Sequence, residues 1–224
     1  MTLSVSDIQT RARERYNAVG DTFFSDQMLR DLIYDGQAIL AKEGWVIEKT
    51  FTTSSVVGTR EYAYPITTLA IKEIRYDYVK IQNTKLRDDP KTNSTDPTGK
   101  PAAYALWDDT IVLYPTPDTA GETIQIRAYA HPADITENTS AIEVPEEYKE
   151  DLISFVLMWM ASKDQNLNLY NKYQEQWEMA VTRAKKQRRK RLRGDRPTRV
   201  TESYFGTDPS THRNNDLYSR SFYG

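Results

Sequence analysis

Val144 to Gly194 reads VPEEYKEDLISFVLMWMASKDQNLNLYNKYQEQWEMAVTRAKKQRRKRLRG, and this stretch decides the fold. Pro145 suits the first turn of a helix, and Glu146 and Glu147 sit favourably at the positive end of its dipole. Tyr148, Leu152, Phe155, Val156, Trp159 and Met160 then recur at steps of three and four, which places them on one helical face that Leu157 and Met158 widen. Asp164-Gln165-Asn166 interrupts the pattern. Leu169, Tyr173, Trp177, Val181 and Ala184 resume it, so the stretch predicts two antiparallel helices. Trp159 and Trp177 are both expected on core faces.

The second helix, if unbroken to Leu192, outruns the first at ~1.5 Å per residue. Its far end carries Arg183, Lys185, Lys186, Arg188, Arg189, Lys190, Arg191 and Arg193. Such a run can be a solvated end whose cations complement the helix dipole, or a contact surface. The net charge of -2 conceals this asymmetry. Residues 183–199 hold ten basic side chains and one acidic, leaving 20 basic against 31 acidic elsewhere. An acidic body with one basic segment suits ordered contacts between subunits or an anionic partner.

Outward from this pair, Ser4 to Asp7 can cap a short helix reaching about Tyr16, with Val5, Ile8 and Ala12 inward. Ser25-Asp26 opens a longer helix carrying Met28, Leu29, Leu32, Ile33, Ile39 and Leu40, for which Gly44 is the expected C-terminal stop. Beyond it the apolar period falls to two. Residues 45–53, 60–64, 69–81, 104–107, 110–114 and 123–130 read as strands, with a tight turn at Asp108-Asp109 and an exposed loop or tip at 88–100. The fold class is therefore α+β. A bundle of about four helices, residues 1–44 and 144–194, is interrupted by an antiparallel β-rich domain over 45–143 and followed by an extended arm over 195–224. The arm has lost periodicity yet keeps Tyr204, Phe205, Tyr218, Phe222 and Tyr223, and is expected to order on a partner.

Signatures of catalysis are weak. Two histidines, His131 and His212, offer no metal spacing and no nucleophile–base set, and zero cysteines exclude thiolate chemistry. Thr98-Gly99-Lys100-Pro101 departs from a phosphate loop at both its leading glycine and its hydroxyl residue. The paired acids Asp88-Asp89, Asp108-Asp109 and Glu146-Glu147 suit turns and helix starts better than an acid/base couple. No enzyme activity, cofactor or metal is expected. The longest apolar run, 152–160, is far below the ~20 residues of a membrane span, so a soluble protein is expected.

The order of elements, with Pro101-Ala102-Ala103-Tyr104, Ile111-Val112-Leu113-Tyr114-Pro115-Thr116-Pro117-Asp118 and Val144-Pro145-Glu146-Glu147-Tyr148, resembles the head-to-tail adaptors of tailed bacteriophages. The similarity is to the short-tailed phage type, in which a β-domain interrupts a helical bundle. The resemblance implies a structural virion protein, assembled in the host cytoplasm into the neck as a twelvefold ring, with the portal above, a tail or nozzle protein below and DNA passing through. Candidate contacts to the portal or a neighbouring subunit are Arg188, Arg189, Lys190, Arg191, Arg193, Tyr204, Phe205, Tyr218, Phe222 and Tyr223. Two alternatives are a nucleic-acid-binding module using residues 183–199 and another tail-tube or nozzle component.

Overall fold

The computed structural model describes residues 3–84 and 97–195, with side chains to residue 192. Among the described residues four α-helices and seven strands follow in order: α1 Val5–Tyr16, α2 Asp26–Gly44, β1 Glu48–Ser54, β2 Glu61–Ala63, β3 Thr68–Tyr76, β4 Val79–Asn83, β5 Ala103–Trp107, β6 Thr110–Tyr114, β7 Thr123–Ala130, α3 Lys149–Lys163 and α4 Leu167–Asp195. The expected extended arm lies outside the described residues. Residues 85–96, most of the expected exposed loop, lie outside them as well.

Both N-terminal helices begin where their caps dictate. Ser4 accepts from the Asp7 backbone N–H while the Asp7 carboxylate accepts from the Ser4 N–H at 2.9 Å, a reciprocal capping box. Ser25 Oγ accepts from the Met28 N–H at 3.3 Å. α2 stops at Gly44 as expected, but the stop is made by a different residue. Its left-handed cap is Trp45, at φ 53°, whose N–H bonds Ala41 O at 2.9 Å. Gly44 is instead the last helical residue, and a Cβ there would lie 2.7 Å from Ala184 Cβ of α4. Close helix approach, not a left-handed cap, is what requires this glycine.

α3 opens later than its sequence suggests. Pro145 is extended, residues Glu146–Tyr148 form a single 3₁₀ turn, and the α-helix starts at Lys149. It then divides the helical core in two. Leu152, Phe155 and Met158 pack with Leu40, Ala41, Trp177, Ala180 and Ala184. Ile153, Val156, Leu157 and Met160 pack with Val5, Ile8, Ala12, Leu29 and Ile33 of α1 and α2. A helix apolar on nearly all sides belongs in the middle of a packed layer. Trp159 is the exception and corrects the sequence reading: its side chain is 42% exposed, whereas Trp177 is buried. The α3–α4 hairpin is antiparallel, since Ser154 meets Gln176, Asp151 meets Arg183 and Tyr148 meets Gln187 in order away from the turn.

The strands form one seven-stranded sheet in the order β1-β7-β3-β4-β5-β6-β2. It is not wholly antiparallel, because β4 and β5 pair in parallel through Gln82–Ala103 and Asn83–Tyr104. The expected single strand over 69–81 is two strands joined by Asp77-Tyr78, both at positive φ (48° and 63°). This is the mirror-image two-residue turn of hairpins, which Gly or Asn usually signals and this sequence does not. Asp108, at φ 52°, turns β5 into β6 as expected. One face of the sheet is sealed by Tyr62, Ile74, Tyr76, Ile81, Tyr104, Ile111, Leu113, Ile124 and Ile126. The described residues up to Arg188 make one compact unit.

Candidate partner-binding surface

The basic run of α4 divides into cations committed to the chain itself and cations facing outward. Arg183 is paired with Asp151 of α3 and lies 5.7 Å from the Tyr148 ring centroid. Burial raises the Asp151 carboxyl pKa above its ordinary value, and the Arg183 guanidinium opposes the shift. Lys185 Nζ lies 3.3 Å from Glu43 Oε2. Arg188 stacks on the Trp45 ring at 4.1 Å from its centroid and reaches Lys42 O at 3.5 Å. Trp45 in turn stacks on Tyr129 at 5.1 Å and 21°, and Lys72 lies over the Tyr129 ring at 5.9 Å. A column of cation, two rings and cation thus joins α4 to the end of α2 and to the sheet.

Lys186, Arg189 and Lys190 are exposed and make no ion pair among the described residues. Arg191 is half-buried, and the side chain of Arg193 lies outside the described residues. Tyr204, Phe205, Tyr218, Phe222 and Tyr223 lie outside them too. The structure therefore assigns Arg188 a contact within the chain and leaves Arg189 and Lys190 available at the same run.

A second exposed surface was not legible as such in the sequence. Val56 and Val57, in the loop after β1, and Tyr78 and Val79, at the β3–β4 turn, are 55–70% exposed. Both segments border the start of β7: Ser55 N–H donates to Glu122 O at 2.8 Å and Asp77 N–H to Thr123 O at 2.9 Å. Period-two reading places strand residues on faces but does not say which turns converge. At the other end of the strands, Ile66 is 92% and Trp107 62% exposed. Tyr64 Oη donates to Asp108 O at 3.0 Å, which holds these two segments side by side.

The outer face of the sheet carries a charge cluster. Glu73 accepts from Arg75 at 2.8 Å and pairs with Arg127 at 3.0 Å and Lys80 at 3.6 Å. Its carboxyl is lowered below the ordinary value by these three cations, Arg75 foremost, against the opposing effect of burial. Among the described residues no group of His, Cys, Asp or Glu could hold a metal ion, and no described helix is long and apolar enough to cross a membrane. Arg75, Arg127 and Lys80 satisfy one carboxylate, an arrangement that suits structural pairing.

The body is well packed and leaves exposed cations on α4 and exposed apolar side chains at both ends of the strands. A comparison with curated proteins finds no match. The model of one family, the SU10 adaptor protein, matches residues 2–201, which spans every described helix and strand. The chain belongs to the SU10 adaptor protein family, consistent with a head-to-tail adaptor of tailed bacteriophages.

Proposed function

We propose that this phage adaptor forms a ring in the virion neck, joins the portal to a tail or nozzle protein, and surrounds the path of the DNA. The family match over residues 2–201 carries this reading. Two features of the chain support it. The basic run of α4 offers Lys186, Arg189 and Lys190 to an acidic protein surface, and the sheet offers separate apolar contacts at Val56, Val57, Tyr78 and Val79. An acidic remainder also avoids gripping passing DNA. The arm over 195–224, with Tyr204, Phe205, Tyr218, Phe222 and Tyr223, and Arg191 and Arg193 complete the proposed contacts to portal or neighbour. In this reading residues 45–143 act as the β-rich domain between the two helical segments.

Imaging of the virion at side-chain resolution tests the proposal: density for the chain in a ring between portal and tail is expected, and density elsewhere overturns it. Replacing Arg189 and Lys190 by glutamine, with binding to portal and to DNA followed over a salt series, separates this reading from the nucleic-acid one. Salt-sensitive portal binding should fall in the variant. Loss of DNA binding with portal binding intact favours the nucleic-acid module.

A further inference from the structure

The exposed side of α4 carries Glu175, Glu178, Met179, Thr182, Arg183 and Lys186, which line one shallow groove. Glu175, Met179, Thr182 and Lys186 follow one another at four, three and four residues and form a single stripe, with Glu178 and Arg183 on its two opposite flanks. All six are exposed, Met179 by 59%. Read from the stripe's midpoint, between Ala180 and Val181, the order is palindromic with charge reversed. Glu175 mirrors Lys186, Glu178 mirrors Arg183, and Met179 mirrors Thr182. A surface with this pattern is complementary to itself turned end for end.

We propose that this stripe is a self-association surface, on which a second copy of the chain seats its own α4 antiparallel. In that arrangement Glu175 of each copy faces Lys186 of the other, while the two Met179 side chains meet on one side of the axis and the two Thr182 side chains on the other. The contact is isologous, so it closes at two copies. Charge complementarity selects a second copy over an unrelated partner, because Glu175 and Lys186 mirror each other across the axis and have no ion pair among the described residues. A two-copy contact cannot by itself build a ring. It holds the α4 stripe in a separate pre-assembly form and does not depend on the neck assignment.

The test is sedimentation equilibrium of the full chain at low salt. Dimers are expected, weakening as salt rises. Glu175→Lys or Lys186→Glu alone converts two symmetry-related attractions into repulsions and should raise the dimer Kd about tenfold. The double variant Glu175→Lys/Lys186→Glu restores opposite charges across the axis and should return Kd to near the wild-type value. Because the chain has no cysteine, Thr182→Cys gives a clean second readout, expected to form a disulfide-linked dimer under mild oxidation. A monomer at every concentration, a double variant no better than the single ones, or open-ended higher assemblies overturns the proposal.

Discussion

Arg188 of α4 lies with its guanidinium 4.1 Å from the ring centroid of Trp45, the left-handed cap of α2. One side chain thereby ties the basic run of the last helix to the point where the helical layer hands over to the sheet. Trp45 is held from its other side by Tyr129 of β7, so its ring has a fixed place for Arg188 to stack on.

Arg188→Gln should therefore lower stability by about 0.5–1 kcal/mol, the scale of a partly exposed cation–π contact. Arg189→Gln, on an exposed position, should change it by less than ~0.5 kcal/mol. Urea titration of both variants checks the difference, and equal effects would remove the stacking role.

Gly44→Ala should destabilise by about 1–3 kcal/mol, since the new methyl would sit 2.7 Å from Ala184 Cβ and 2.9 Å from Val46 Cγ1. Gly36→Ala brings its methyl to 3.0 Å from Leu152 Cδ2 and from Phe155 Cδ1, a milder crowding that a few tenths of an ångström of side-chain movement relieves. There the helix propensity gained, up to ~1 kcal/mol, should offset much of the crowding. Thermal melts of the two variants should separate them clearly, with Gly44→Ala the lower.

The two tryptophans of the α3–α4 hairpin should respond unequally. Trp177 is buried and packs on Phe155 at 4.6 Å between centroids, so Trp177→Ala should cost about 3–5 kcal/mol. Trp159 touches Phe155 only edge-on at 6.3 Å, so Trp159→Ala should cost about 0.5–1.5 kcal/mol. Chemical denaturation gives both numbers directly.

Acid stability should depend on Asp26. Its carboxyl is held below the ordinary value chiefly by a hydrogen bond from Arg13, with burial acting the other way. A depressed folded pKa contributes stability above the unfolded value, about 3.9, and that contribution is lost as pH falls through the folded value. The side chain is 54% exposed, so solvent screening keeps the effect small. Asp26→Asn should flatten the decline in melting temperature below about pH 4 while leaving its shape at neutral pH unchanged. Parallel declines in both proteins would assign the acid sensitivity elsewhere.

The sequence by itself determined the order of helices and strands, the caps at Ser4 and Ser25, and the turn at Asp108. These follow from local chemistry: a side-chain oxygen within reach of a free N–H, an apolar period of 3.6 or 2, and a residue tolerant of left-handed backbone. It also located the basic run. Tertiary structure decided the rest, because the outcome depended on residues distant in the chain. Gly44 answers to Ala184, 140 positions away, and so is a close-approach residue and not a cap. Arg188 looks identical to Arg189 in sequence, yet helix phase turns one onto Trp45 and the other to solvent. Trp159 and Trp177 share an apolar pattern, but α3 is surrounded on nearly every side and only packing chose which of its positions remained outside. The parallel β4–β5 pair and the positive-φ turn at Asp77-Tyr78 were likewise settled by the partners each strand found across the sheet, which no local signal records.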